Sequence, residues 1–131
     1  VKTDSGMNKE KKTILLVEDE AGNREILTEI LCDLGYEVIG AADGSSALST
    51  IRHGAHIDLV LTDYRLPDMT GLDVVRTLRT ALPDVPVIML TAYGNIEGYF
   101  QSLSLGVFEY IHKPVDKREL ERVVQMALRA P

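Results

Sequence analysis

The feature of this sequence that most constrains its fold is an alternation between short apolar runs and longer segments with apolar residues at helical spacing. Thr13–Val17 is a short, mostly apolar run, which predicts a buried strand. From 26 to 34 the apolar residues recur every three or four positions, which predicts an amphipathic helix. The alternation then repeats. The predicted strands are 13–17, 36–42, 57–62, 85–90 and 109–111, and the predicted helices contain 26–34, 44–53, 72–82, 96–103 and 116–129.

Strands that are apolar on both faces, each followed by a helix, predict a parallel sheet covered by helices on both sides. Right-handed crossovers between the strands are expected. The predicted fold class is therefore α/β, a doubly wound five-stranded parallel sheet flanked by five helices. Gly35 is predicted to end the first helix as its C′ residue. Ligands of such folds bind beyond the carboxyl ends of the strands, so those ends are where functional residues are expected.

The length and the apolar content of the chain favour a single domain. With 131 residues, 45% of them hydrophobic, the chain is long enough to bury one sizeable core. Residues 1–12, VKTDSGMNKEKK, are polar and lack any hydrophobic period, which predicts a disordered tail. Met7 suggests that residues 1–6 are a remnant of cloning. The domain itself is predicted to span 13–131.

Charge and cysteine content exclude several classes of protein. The formal net charge of −6 argues against direct binding to nucleic acid, which requires a clustered basic surface. Cys32, the single cysteine, lies within an apolar helical pattern and is predicted to be an inert core residue. No apolar run approaches the roughly 18 residues that span a bilayer, and no signal peptide is evident. A cytoplasmic protein without membrane contact is expected.

Polar side chains at the ends of four predicted strands form the candidate site. Glu18 and Asp19 follow the first strand, Asp63 the third, Thr91 the fourth and Lys113 the fifth. Taken singly, acidic residues after strands are commonly helix caps or turn residues. Taken together, three converging carboxylates would repel one another by several kcal/mol at about 5 Å, so a cation is expected to compensate them. Oxygen ligands of this kind suit Mg²⁺, and Lys113 supplies a further positive charge.

Four segments at these strand ends resemble a known family. They are ILLVEDE at 14–20, LTDYRLPDMTG at 61–71, LTA at 90–92 and HKP at 112–114. Together they resemble the receiver domains of two-component response regulators, which have the flavodoxin-like fold of chemotaxis receivers, and the resemblance covers 13–130. It implies a phosphorylated signalling domain with self-catalysed phosphotransfer and autodephosphorylation, not an enzyme in the ordinary sense.

The resemblance also implies a role for each site residue. Asp63 would be the nucleophile that accepts a phosphoryl group from a sensor histidine kinase or a phosphotransfer protein. Asp19, Asp63 and the backbone carbonyl of Arg65 would bind Mg²⁺. Glu18 stands where many members have Asp, so it would bind the metal either directly or through water. Lys113 would pair with Asp63 and then with the phosphoryl oxygens, next to a cis bond to Pro114.

The resemblance also implies which residues form a conformational switch and which residues set the lifetime of phosphorylated Asp63. Thr91 would donate its hydroxyl to the phosphoryl group, and Tyr110 would fill the space that Thr91 leaves when it moves. The residues two positions beyond Asp63 and Thr91, which are Arg65 and Tyr93, would set the rate of self-dephosphorylation. Both are bulky and are expected to slow the approach of an in-line water.

Single features of the sequence distinguish two rival functions from a phosphorylated receiver. A magnesium-dependent phosphatase with an aspartyl-phosphate intermediate would need a carboxylate where this chain has Arg65. A pseudo-receiver that signals without phosphate would not be expected to retain every site residue.

The segments TAYG at 91–94 and NIE at 95–97 resemble receivers of the nitrogen-regulation type, so an output domain beyond Pro131 is one expected partner. Tyr99 and Phe100 would offer aromatic area for a phosphorylation-dependent homodimer.

Overall fold

A five-stranded parallel sheet forms the centre of the protein. The structure, a computed structural model, describes residues 11–92 and 103–129. The strands are β1 (Thr13–Val17), β2 (Glu37–Ala41), β3 (Leu59–Asp63), β4 (Val87–Thr91) and β5 (Glu109–His112), in the spatial order β2-β1-β3-β4-β5. Every neighbouring pair is parallel. The predicted fold class is confirmed, and the strand order reverses beside β1, where β1 and β3 are neighbours.

Helices follow the first three strands and the last. They are α1 (Ala21–Asp33), α2 (Gly44–Arg52), α3 (Gly71–Ala81) and α4 (Lys117–Arg129). The predicted helix at 96–103 lies outside the described residues except for its last residue, Leu103, which is helical together with Ser104. The predicted tail at 1–12 also lies almost wholly outside them. Within the described residues, no helix has the length and apolar character needed to cross a membrane.

Apolar side chains of alternate strand residues point to opposite faces of the sheet. In β1, Ile14 and Leu16 belong to the core on one face, and Leu15 and Val17 to the core on the other. The first core is closed by α1 and α4, and the second by α2 and α3. Each fully buried Leu, Ile or Val contributes roughly 1.5–3 kcal/mol relative to exposure. This two-sided burial explains why the central strands read as continuous apolar runs.

The end of α1 confirms one prediction and corrects another. Gly35 has a φ of 99°, and the N–H groups of Gly35 and Tyr36 donate to the carbonyls of Cys32 and Leu31 at 3.0 and 3.1 Å. This pairing is the Schellman arrangement, so Gly35 ends the helix as predicted. The prediction that Cys32 is a core residue is wrong, because its side chain is exposed.

Not every apolar residue of α1 is buried against the sheet. Leu27 and Leu31 face the sheet and are buried, whereas Ile26 is 57% exposed. Ile26 and Cys32 each lie one position from a buried leucine, about 100° around the helix axis. Both therefore face solvent beside the core.

Candidate functional site

Three carboxylates meet at the carboxyl ends of β1 and β3. Because these two strands are neighbours, Glu18 and Asp19 emerge beside Asp63. Each of the three offers an oxygen within 4.8 Å of the others. Glu18 and Asp63 are buried, with 1% and 4% of their surface exposed, whereas Asp19 is open to solvent. The site is thus an acidic cluster with a buried floor and one exposed member.

Lys113 approaches this cluster from the end of β5. Its Nζ donates to Glu18 Oε1 at 2.8 Å and lies 2.7 Å from Asp63 Oδ1. The second contact is an ion pair between the ammonium and a buried carboxylate oxygen. One ammonium therefore offsets two buried carboxylates.

Burial and crowding set the charges of these groups. Burial, together with the neighbouring Glu18 carboxylate, raises the pKa of Asp63 to about 7 in spite of Lys113. For Glu18 burial acts in the same direction, but hydrogen bonds from Lys113 and from the Glu20 N–H outweigh it and lower the pKa. For Lys113 burial lowers the pKa, and the two carboxylates more than reverse this, so the pKa is raised. Lys113 and Glu18 thus remain charged near neutrality, while Asp63 gains and loses its proton there.

The loop between β1 and α1 is held by contacts that sequence reasoning missed. The Glu18 N–H donates to the Ala41 carbonyl at 3.0 Å, and Arg24 Nη1 donates to the Glu18 carbonyl at 2.8 Å. The carboxylate of Glu20 caps α1 by accepting from the N–H groups of Gly22 and Asn23 at 3.2 and 2.6 Å. Glu20 is therefore committed to the helix end. Its place just before an apolar helical pattern was the available signal.

The ends of β4 and β5 place Thr91 and Lys113 side by side. Thr91 is buried, and its carbonyl accepts from the Lys113 N–H at 2.8 Å. The bond between Lys113 and Pro114 is cis, as the resemblance implied. Tyr110 is partly buried on β5 and packs against the core beneath α2 and α3. The roles of Thr91 and Tyr110 as a switch remain predictions.

Arg65 lies in the loop between β3 and α3. Its side chain is exposed, and its backbone forms an isolated antiparallel bridge with Thr70. The Leu66 N–H donates to the Met69 carbonyl at 3.0 Å, which closes the same turn. The proposed role of the Arg65 carbonyl as a metal ligand stays a prediction. Tyr93 lies outside the described residues.

An apolar cavity of about 560 Å³ adjoins the acidic cluster between α1 and the loop after β5. Glu18 and Lys113 form its polar end, and its other walls are Asn23, Ile26, Leu27, Ile30, Ala92, Pro114 and Val115. The exposed Ile26 side chain stands at this cavity. The cluster is therefore flanked by an accessible apolar surface.

This strand order, with an acidic cluster and a lysine at the carboxyl ends of β1, β3 and β5, defines a receiver-type signalling domain. The family model of the response regulator receiver domain matches residues 14–125, and the chain belongs to this family.

Curated relatives agree with the family. The chain is 43% identical over 120 residues to the probable transcriptional regulator ycf27 of Porphyridium aerugineum, covering 92% of this chain and 49% of the relative. It is 37% identical over 115 residues to the regulatory protein AtoC of Escherichia coli, covering 88% of this chain and 25% of the relative. The chain thus spans half or less of the length of these relatives.

Solved structures share the fold over almost the whole chain. A CheY-like receiver domain from Methanospirillum hungatei has a TM-score of 0.87 and 34% identity, over 91% of this chain and 94% of that one. The receiver domain of sensor histidine kinase PA1611 from Pseudomonas aeruginosa has a TM-score of 0.82 and 32% identity, over 92% of this chain and 100% of that one. That structure has a magnesium ion coordinated in its active site cleft.

Proposed function

We propose that this chain is a phosphoacceptor switch of a two-component system, in which Asp63 takes a phosphoryl group in a Mg²⁺-dependent reaction. The observation that carries the proposal is the state of Asp63: a buried carboxylate at the end of β3, 2.7 Å from Lys113 and within reach of two further carboxylates. Intact-mass measurement after incubation with a small phosphodonor and Mg²⁺ tests it.

The donor set fits a magnesium ion. It consists only of carboxylate oxygen atoms that lie within 4.8 Å of one another, and oxygen ligands are those that Mg²⁺ prefers. Asp19 and Asp63 would hold the ion with the Arg65 carbonyl. Glu18 would act through water, because both of its carboxylate oxygens already accept hydrogen bonds, Oε1 from Lys113 and Oε2 from the Glu20 N–H. When bound, Mg²⁺ supplies positive charge to the phosphoryl oxygens.

The chain's own residues account for the transfer step. A carboxylate oxygen of Asp63 attacks the phosphorus of a phosphohistidine, so the new O–P bond forms as the N–P bond to the histidine breaks. Lys113 lies close enough to Asp63 to pair with a phosphoryl oxygen after transfer, while Glu18 keeps Lys113 in place. Thr91 would donate its hydroxyl to the same group, and Tyr110 would follow Thr91 inward.

Partner binding is proposed on the surface beside the acceptor. The apolar cavity between α1 and the loop after β5 opens next to Lys113 and offers area for a protein donor such as a histidine kinase. Regulation of a downstream domain or partner is proposed because the relatives named above are transcriptional regulators in which the chain covers only part of the length. The homodimer hypothesis depends on Tyr99 and Phe100, which lie outside the described residues.

Mg²⁺ is expected to raise the melting temperature of the protein, because the ion binds only the folded arrangement of carboxylates. At ten times the dissociation constant the gain should be on the order of 5 °C. It should be larger at pH 8 than at pH 6, since metal binding requires deprotonated Asp63, whose pKa is about 7 without metal. Thermal unfolding followed by circular dichroism at both pH values, with and without MgCl₂, measures this.

The substitution Asp19→Asn should reduce the Mg²⁺-dependent gain. Asp19 is exposed, so the change should alter the stability of the metal-free protein little. Asp58→Asn tests whether a distant carboxylate has the same effect, because Asp58 lies at the opposite end of the sheet, where it accepts from the Thr13 N–H. An unchanged melting temperature at millimolar Mg²⁺ in the wild type would contradict the metal site.

Arg65→Asn is expected to shorten the half-life of phosphorylated Asp63. The exposed Arg65 side chain lies two residues beyond the acceptor, where it would cover the in-line approach of water, whereas a short amide would orient that water. Combining it with Tyr93→Glu should shorten the half-life further. The loss of phosphate after removal of the donor is the measurement, and an equal or longer half-life would refute the shielding argument.

A further inference from the structure

The loop that follows Asp63 is attached to the amino-terminal end of α2 through Asp68. Both carboxylate oxygens of Asp68 accept backbone hydrogen bonds from α2, Oδ1 from the Gly44 N–H and Oδ2 from the Ser45 N–H, each at 2.9 Å. These two bonds also lower the pKa of Asp68. The first N–H groups of a helix have no partner within the helix, so a carboxylate from another segment is well suited to bind them.

Met69 strengthens the same attachment by packing. A Cβ atom at Gly44 would collide with the Cγ, Sδ and Cε atoms of Met69. The Met69 side chain therefore packs in the space that a side chain at position 44 would occupy. Gly44, the first residue of α2, is buried, although the next two residues of the helix are exposed. Two successive loop residues, Asp68 and Met69, are thus fitted to one helix terminus.

Other hydrogen bonds hold this loop without reaching α2. At its start, the Tyr64 N–H donates to the Leu90 carbonyl of β4 at 2.8 Å. Within the connection between β3 and α3 lie the Leu66–Met69 turn, the Arg65–Thr70 bridge and the bond from the Gly71 N–H to the Tyr64 carbonyl at 2.7 Å. They fix the shape of the loop without joining it to α2. Asp63 and Tyr64 are fixed by the sheet, whereas the position of the Arg65 backbone depends on how the rest of the loop is held.

We propose that Asp68 is a positioning residue for the metal site: by clamping the loop onto α2, it places the Arg65 carbonyl where it can serve as a ligand beside Asp63. The inference rests on the proposed function, because Arg65 is a ligand only if Mg²⁺ binds there. Asp68 itself would not be a ligand, because both of its carboxylate oxygens accept from α2. Removing the clamp lowers metal affinity while every metal ligand is retained.

The test compares Asp68→Ala with a matched control on the same helix end. Asp43 also caps α2, accepting from the Ser46 N–H at 2.7 Å, but it belongs to α2's own N-cap and does not hold the loop. Asp43→Ala therefore removes the same charge and a similar capping bond without releasing the loop. Isothermal titration calorimetry with MgCl₂ on the full chain gives the dissociation constants.

Asp68→Ala is expected to weaken Mg²⁺ binding about tenfold, at the low end of the effect of residues that support metal ligands. Asp43→Ala should stay within about twofold of the wild type although it also loses a cap. Asp68→Asn, which keeps one acceptor oxygen, should fall between Asp68→Ala and the wild type. Equal affinities for Asp68→Ala and Asp43→Ala would overturn the inference, because the effect would then be one of charge or helix stability alone.

A second readout keeps the clamp testable if the wild type binds no Mg²⁺, a result that would refute the metal site of the proposed function. In ¹H–¹⁵N spectra of the metal-free protein, Asp68→Ala should shift the amide signals of residues 64–70 as well as those of Gly44 and Ser45. Asp43→Ala should shift only those near α2. If the signals of 64–66 stay in place in Asp68→Ala, Asp68 does not position the loop.

Discussion

Asp63→Asn is expected to abolish phosphoryl uptake and to leave the fold intact. The amide has the shape of the carboxylate but is not a nucleophile toward phosphorus, so the O–P bond cannot form. Burial raises the pKa of Asp63 to about 7, above that of an unfolded Asp. Such a group costs no stability below its ordinary pKa of 3.8, lowers the free energy of unfolding progressively as the pH rises toward about 7, and lowers it by the full amount above that pH. The neutral amide should therefore melt at a higher temperature than the metal-free wild type at pH 8.

Intact-mass spectrometry after incubation with phosphoramidate and Mg²⁺ measures the uptake, and circular dichroism measures the melting temperature. Asp58→Asn is again the control, because it replaces a carboxylate away from the site and should not affect uptake. Wild-type labelling of Asp63→Asn at the same position would remove Asp63 from its proposed role. A loss of helical signal in this variant would mean that the lost uptake reports unfolding.

Gly71→Ala should destabilise the protein by about 1–3 kcal/mol, the usual cost of forcing a methyl group into a packed core. Gly71 begins α3, and a Cβ there would collide with the backbone carbonyl oxygen of Asp63 and lie 2.8 Å from Met89 Sδ. Helix propensity alone predicts the opposite sign, since Ala is favoured over Gly by about 1 kcal/mol within a helix. The collision should prevail because the obstacle is backbone.

Urea unfolding of Gly71→Ala and of Gly40→Ala separates the two effects. A Cβ at Gly40 would meet only the Arg24 side chain at 3.5 Å, an ordinary contact with a flexible group, so that variant should differ little from the wild type. Since the displaced atom in Gly71→Ala belongs to Asp63, the folded fraction should also take up phosphate more slowly. Equal stabilities for Gly71→Ala and the wild type would show that α3 can move away from Asp63 at little cost.

The strands could be predicted from the sequence because both faces of this sheet are covered. Burial on two sides makes β1 a continuous run of TILLV, and the same requirement makes β3 and β4 easy to find. Predicted strand bounds still erred by one or two residues, as at β3, which starts at Leu59 and not at Ile57. The prediction failed on α1, where the pattern could not say which members of a wide apolar stripe face the sheet. Cys32 therefore proved exposed.

The candidate site could be predicted as far as it depends on strand ends. Glu18, Asp63 and Lys113 follow strands that are brought together by the sheet, and their short contacts agree with that expectation. The contacts of Arg24 and Asp68 could not be predicted, because they depend on loop geometry and join residues with no periodic relation. The roles of the site residues in binding metal and phosphate remain predictions.

The central claim is that Asp63 carries the phosphoryl group, and it can be tested on the acyl phosphate itself. The wild-type protein is incubated with phosphoramidate, with and without Mg²⁺, and is then reduced with borohydride, which converts a phosphorylated aspartate to homoserine. We predict that peptide mass spectrometry will find homoserine at position 63, only in the sample with Mg²⁺. Homoserine at another aspartate, or an unmodified position 63 after reaction with the donor and Mg²⁺, would contradict the account.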